Sequence, residues 1–159
     1  FTTGVIPRGS FEQVLSPTRM RVGLQDGIGC APEGLSEAKR SGATVVPDDF
    51  EHELVLAYLL RDRGLVVMTS CGHRGIVNSV QRAMQVAGTD KVHAILGGFH
   101  LAPHKPEYQQ QTLTELLALK PDFLIPMHCS GESFISLVQT QMPEGFVRSS
   151  TGTRFVFSA

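Results

Sequence analysis

Three histidines of this chain stand in equivalent surroundings. His73 closes the run Leu65-Val66-Val67-Met68-Thr69-Ser70-Cys71-Gly72-His73, His100 closes Val92-His93-Ala94-Ile95-Leu96-Gly97-Gly98-Phe99-His100, and His128 closes Phe123-Leu124-Ile125-Pro126-Met127-His128. Each follows a short apolar run and precedes a stretch of helical spacing. If the runs are strands of one α/β sheet, the histidines lie just past the carboxyl ends, the edge at which open α/β sheets bind ligands. Neutral imidazole is a ligand for zinc, iron and nickel, so the three could converge on a metal. Glycines beside His73 and His100 let backbone crowd a small site. The plain alternative is three separate loop histidines, and the repeated layout argues against it. His52, His93 and His104 lack that layout and read as ordinary positions.

Other groups near these histidines carry weaker signals. Arg74 and Asn78 flank the start of the helix expected after His73, where free backbone N–H groups favour anions. The Arg74 guanidinium can hold a phosphate or carboxylate through two bonds, so both residues read as substrate-orienting, with helix capping the plain alternative for Asn78. Cys71 and Cys129 adjoin strand-end histidines and invite comparison with a Cys–His nucleophile. Neighbours on an extended segment point to opposite sides, so the cysteines read as structural or as supports for the ligands. Glu12, Asp48, Asp49 and Glu53 lie in or beside loops and read as solvated carboxylates with no spacing suited to acid/base work. Gly97-Gly98 is not part of a phosphate-binding G-x-x-x-x-G-K-[ST] loop.

The elements that must position these residues begin at Glu53. Leu54–Leu60 and Leu65–Thr69 are apolar runs around Arg61-Asp62-Arg63-Gly64, which predicts a β-hairpin. Ile76, Val77, Val80, Met84 and Ala87 recur at helical spacing and stop at Gly88, a natural C-cap. Val92–Leu96 predicts a strand, roughly Glu107–Leu119 a helix, Asp122–Ile125 a third buried strand, and Phe134, Ile135, Leu137 and Val138 a last helix before Pro143. Phe146–Arg148 and Arg154–Phe157 read as short closing strands. Before Glu53 the chain is loop-rich, broken by Gly and Pro at eleven positions from Gly4 to Pro47, with one strand expected over Arg19–Leu24. Alternation of strand and helix means an α/β protein with helices over a mixed sheet.

Composition excludes several classes. Of the 159 residues 42% are hydrophobic, enough for a core, while a net charge of -1 gives no field for nucleic acid. No apolar run approaches the roughly 18 residues of a membrane span. Three cysteines without a C-x-x-C pair indicate neither a disulfide framework nor a cysteine-based zinc knuckle, and favour a reducing compartment such as the cytoplasm. Compartment is otherwise unassigned, since the chain opens at Phe1 without an initiator Met.

Three segments together carry a family resemblance. Thr69-Ser70-Cys71-Gly72-His73-Arg74-Gly75-Ile76-Val77-Asn78, Gly97-Gly98-Phe99-His100-Leu101 and Pro126-Met127-His128-Cys129-Ser130-Gly131 resemble the late motifs of a metallo-β-lactamase-fold subfamily, that of the archaeal dihydropterin ribofuranosyl aminobenzene phosphate synthases and their relatives. Gly4-Val5-Ile6-Pro7-Arg8 with Phe11-Glu12, and Asp48-Asp49 with Glu53-Leu54-Val55, resemble its linker motifs. The resemblance implies the second half of an αββα sandwich, with residues 1–52 a loop-rich linker region and 53–159 the strand/helix half-sandwich. The family's H-x-H-x-D-H cluster does not occur in this sequence and is expected upstream of Phe1, on an absent N-terminal half. Two divalent ions are implied, zinc first, with manganese and iron as alternatives. His73 would complete one shell and His128 the other. His100 falls where many members place a bridging Asp, and because imidazole bridges poorly it would bind one metal or support a ligand. Ser70 stands where relatives usually carry Gly, and Arg74 where a small residue is usual, which points to an anionic substrate.

The expectation is therefore a metal-dependent hydrolase, a metal-activated water attacking an ester, phosphoester or related electrophile of a small molecule, inactive as this piece alone. The missing half, or another chain, is expected to cover the apolar face of the Val66, Ile95 and Ile125 strands. Two rival readings are a non-catalytic α/β interaction module and a di-iron redox member of the same fold, separable by metal content and kind.

Overall fold

A computed structural model describes residues 1–13, 19–21 and 45–158. The chain divides into two compact units, Phe1–Leu15 with Glu51–Ala159, and Ser16–Phe50. In the smaller unit β1 (Arg19–Arg21) pairs antiparallel with β2 (Val45–Pro47), Met20 opposite Val46. Residues 22–24 of the expected first strand lie outside the described residues. β2 was not expected, because three residues running into Pro47 are too short for a period-two signal.

The larger unit is one mixed sheet with helices on one face. β3 (Leu56–Leu60) and β4 (Gly64–Thr69) form the expected hairpin. β5 (Val92–Gly98) and β6 (Phe123–Met127) follow parallel to β4, giving the order β3-β4-β5-β6. Three helices cross between or follow these strands: α1 (Ile76–Ala87), α2 (Pro106–Ala118) and α3 (Glu132–Gln141). α1 ends at Gly88, whose φ of 64° is the left-handed C-cap conformation expected there. The first residues extend the sheet past β3, with Thr3 N–H donating to the Val55 carbonyl at 3.1 Å and Ala57 N–H to that of Phe1 at 2.9 Å.

Each sheet face has its own core. Leu65, Val67, Ile95 and Leu124 meet Val77 and Val80 of α1, Leu113 and Leu116 of α2, and Phe134 and Val138 of α3. Phe99 and Phe134 meet edge to face at 6.0 Å between ring centres. Truncating one such residue, Leu116 for example, is expected to cost about 2–5 kcal/mol through lost transfer energy and the cavity left behind. On the opposite face Val66, Ala94, Leu96 and Ile125 are buried against Val147, Phe155 and Phe157. Strands covered on both faces read as continuous apolar runs, which is why Leu65–Val67 and Ala94–Leu96 show no alternation.

One expectation is corrected here. Val66 and Ile125 are buried against the chain's last residues, while Ile95 packs on the helix-covered face, since alternate residues of a strand point to opposite sides. Those last residues form no regular strands. Phe146 makes a single bridge to Leu124, and residues 153–158 pack as irregular chain, their anchoring coming from Phe155 and Phe157 rather than a ladder. No helix among the described residues is long and apolar enough to cross a membrane.

Candidate metal centre

The carboxyl ends of β4, β5 and β6 lie side by side, and the loops beyond them carry His73, His100 and His128. The Thr69 hydroxyl at the end of β4 donates to the Gly98 carbonyl at 2.7 Å, tying the first loop to the second. Gly97 makes that approach possible. Its φ is 121°, and a Cβ there would run into the Thr69 carbonyl.

His73 is fixed by a carboxylate twenty residues earlier. Glu53 Oε1 accepts the His73 backbone N–H at 2.9 Å and faces His73 Nδ1 at 3.1 Å, while Oε2 accepts the Arg74 N–H at 2.5 Å. A proton on Nδ1 satisfies this contact and puts the lone pair on Nε2, the tautomer in which a metal-ligating histidine is held by a carboxylate behind it. Glu53 is buried. Its reading as a solvated carboxylate is overturned, because a loop position says nothing of what packs over it.

His100 lies against His73, ring centres 4.5 Å apart. Its φ of 51° is in the left-handed region that non-glycine residues seldom occupy and that recurs at functional sites. Burial, and next the nearby His73, hold its pKa below the usual histidine value, with Glu53 opposing. Desolvation thus favours the neutral imidazole, the form that ligates metal. His100 Nδ1 is buried and has no hydrogen-bond partner among the described residues.

His128 has other neighbours at this edge. It opens a single 3-10 turn, His128–Ser130, with a φ of 20°, and its Nε2 lies 3.4 Å from Cys71 Sγ. The thiol of Cys129 donates to the Cys71 carbonyl at 3.4 Å. Burial pushes the Cys129 thiol up to about 11, with the nearby Cys71 adding to the shift and the His100 backbone N–H opposing it. Cys71 Sγ, His128 Nε2 and Cys129 Sγ all lie within 4.8 Å of one another, a group that could hold a metal and the one such threesome among the described residues. The sequence argument that adjacent residues diverge fails at His128-Cys129 because the segment is a 3-10 turn rather than extended chain. The three strand-end histidines therefore form two sets, His73 with His100 and His128 with two cysteines.

Arg74 and Asn78 both make hydrogen bonds to the chain's own backbone. Arg74 is buried, and its Nε donates to the Ile6 carbonyl at 2.8 Å. Asn78 Oδ1 accepts the backbone N–H groups of Gly9 and Ser10 at 3.0 and 2.9 Å, and Nδ2 donates to the Arg74 carbonyl at 2.8 Å. Both side chains hold the N-terminal segment against the start of α1. At the helix end itself the chain's own Glu12 takes an anion's place. Glu12 accepts from Val77 and Asn78 N–H at 3.1 and 2.9 Å and from the Ser10 hydroxyl at 3.0 Å. It satisfies donors that every helix N-terminus leaves over, in a helix whose own N-cap, Gly75, has no side chain to do so. Burial raises the Glu12 pKa, and these hydrogen bonds oppose the rise.

Of the other three histidines, His52 is exposed at the cleft described next and the other two are held by neighbours. His93 Nδ1 contacts Asp122 at 2.6 Å, and His104 stacks on Tyr108 with ring centres 3.9 Å apart. Beside His73 and Glu53 opens a cleft of about 500 Å³ walled by Leu54, Leu56, Met68, Thr69 and Ser70. That volume suits a small organic molecule.

Comparison with known proteins bears on the fold. No family model matches the chain. It is 32% identical over 114 residues, 72% of its own length and 38% of the relative's, to the 7,8-dihydropterin-6-methyl-4-(beta-D-ribofuranosyl)-aminobenzene-5'-phosphate synthase of Methanocaldococcus jannaschii. An uncharacterised protein of the same archaeon is 28% identical over 87 residues, 55% of this chain and 32% of that protein. Among solved structures, the crystal structure of a metal-dependent hydrolase of the β-lactamase superfamily superposes with a TM-score of 0.65 at 26% identity, over 72% of this chain and 44% of that one. The chain thus spans less than half the length of each of these relatives. In fold this is a metallo-β-lactamase-fold protein, and in sequence it is similar to the dihydropterin ribofuranosyl aminobenzene phosphate synthase.

Proposed function

We propose that the protein is a metal-dependent hydrolase whose centre is built on His73, His100 and His128. The observation that carries this reading is the buried, unpartnered Nδ1 of His100 beside a His73 ring held by Glu53. A buried ring nitrogen without a partner costs about 1–3 kcal/mol, a cost removed when the atom ligates a cation. The donor sets fit such an ion, since neutral imidazole suits zinc, iron and manganese-type centres to different degrees, and zinc best where sulfur lies alongside. His73 and His100 would hold one ion and His128 a second. The H-x-H-x-D-H ligands expected on other sequence would complete both.

A divalent ion at this edge would supply Lewis acidity, lowering the pKa of a water and polarising an oxygen of the substrate. The chain's own residues do the rest. Glu53 keeps the proton on His73 Nδ1 and stops the ring from turning. Leu54, Leu56 and Met68 offer an apolar wall for the body of a substrate, and the Thr69 and Ser70 end of β4 brings it to His73. Desolvation at His100 strengthens every charge interaction nearby. The substrate class is an ester, phosphoester or related electrophile. A phosphate-bearing group is favoured by the relative named as a 5'-phosphate synthase, which also keeps a synthase-type reaction as the second reading.

The test is hydrolysis of 4-nitrophenyl esters and phosphodiesters by the protein together with the half expected to carry the H-x-H-x-D-H ligands, before and after chelation, with zinc, manganese or iron restored singly. Activity lost on chelation and regained with one metal supports the reading. A rate indifferent to both treatments refutes it.

A further inference from the structure

The geometry points to a thiolate-rich metal site formed by Cys71 Sγ, Cys129 Sγ and His128 Nε2, taking zinc or another thiophilic divalent ion. It rests on the metal reading above for His128 alone and adds two sulfur ligands that neither that reading nor the sequence supplied. Zinc binds sulfur at about 2.3 Å and imidazole nitrogen at about 2.0–2.1 Å, so a tetrahedral ion sets its sulfur and nitrogen ligands roughly 3.6 Å apart and two sulfurs roughly 3.8 Å apart. Cys71 Sγ and His128 Nε2 are 3.4 Å apart, and all three atoms fall within 4.8 Å of one another, close to those spacings.

The surroundings are shaped around this cluster. A Cβ on Gly98 would strike the His128 ring and come within 2.6 Å of Cys129 Sγ, so the space above residue 98 belongs to the ligand atoms. Three elements fix them: the loop after β4 carries Cys71, the 3-10 turn after β6 carries His128 and Cys129, and the end of β5 forms the floor. A Cys–His nucleophile would use one sulfur and leave the second unexplained. Two sulfurs and an imidazole form a three-ligand site that leaves a fourth position for water or substrate, the open form of a catalytic zinc site. Sulfur ligands select against the hard ions magnesium and manganese.

The experiment uses the full chain, reduced and metal-free, titrated with Co²⁺ as a spectroscopic stand-in for zinc. The expected result is a sulfur-to-cobalt charge-transfer band in the near ultraviolet, retained in His73→Ala and lost in Cys71→Ser and Cys129→Ser. Thiol alkylation of the wild-type chain needs no variant: of the three cysteines in the sequence, zinc is expected to shield two. Co²⁺ binding without the band, or alkylation of all cysteines unchanged by zinc, overturns the site. If binding without the band is abolished by His73→Ala, the histidine centre stands and the thiolate site falls. If the band and the protection appear while hydrolysis ignores chelation, the thiolate site stands and the hydrolase reading falls.

Discussion

Replacing Glu53 by Gln tests how far one buried carboxylate organises the loop after β4. Glu53 accepts two backbone N–H groups, from His73 at 2.9 Å and Arg74 at 2.5 Å, and faces His73 Nδ1 at 3.1 Å. A glutamine keeps one acceptor oxygen and presents an NH₂ group to the other donor. One charge-assisted bond to a buried N–H is therefore lost and the rest become neutral. A hydrogen bond to a charged group contributes about 1.5–3 kcal/mol, so urea unfolding at neutral pH should show a loss of about 2–3 kcal/mol. A second consequence reaches the candidate ligand. Without the carboxylate, His73 is free to change tautomer, and removing such a support lowers metal affinity by roughly 10–100-fold. Competition titration against a chromogenic zinc chelator measures that directly. A stability change within about 0.5 kcal/mol, the scatter of surface substitutions, together with unchanged zinc affinity would refute the reasoning.

Two further outcomes follow from the N-terminal contacts. Asn78→Ala leaves the N–H groups of Gly9 and Ser10 without their acceptor and should cost about 1–3 kcal/mol for each group that stays buried, with metal binding little changed. Comparable unfolding midpoints for variant and wild type would contradict it. Glu12 makes stability depend on pH, because burial raises its folded pKa above the ordinary value of 4.5. Its contribution is full below that value and declines as pH rises through the raised folded pKa, since the unfolded chain releases the proton first. Glu12→Gln, a mimic of the neutral acid, should lose that slope in a pH series of urea midpoints, and identical slopes would sink the assignment.

The sheet and helices were legible because their apolar runs are long and bounded by Gly and Pro, as at Gly64, Gly88 and Pro121. Placement of His73, His100 and His128 at one edge followed from the order of strands alone. Their division into two sets did not, because it depends on the 3-10 turn that swings Cys129 and His128 toward Cys71. Glu12 and Glu53 were misread for a related reason. A carboxylate in a loop looks solvated until the segment that buries it is known, and here the partners are 65 and 20 residues away. At the start of α1 the sequence offers Arg74 and Asn78 beside free helix N–H groups, and the structure adds Glu12, which accepts two of those groups from far along the chain. In each case local pattern gave the element, and contacts distant in sequence decided the side chain's role.

The central claim is that this edge of the sheet binds metal through its histidines. Native mass spectrometry of the zinc-loaded protein, beside His73→Ala, His100→Ala and His128→Ala, tests it most directly. The account predicts bound zinc in the wild type and a reduced load in His73→Ala and His128→Ala, each losing a different part of it. Equal zinc in the wild type and both of these variants, or none in any of them, would contradict it.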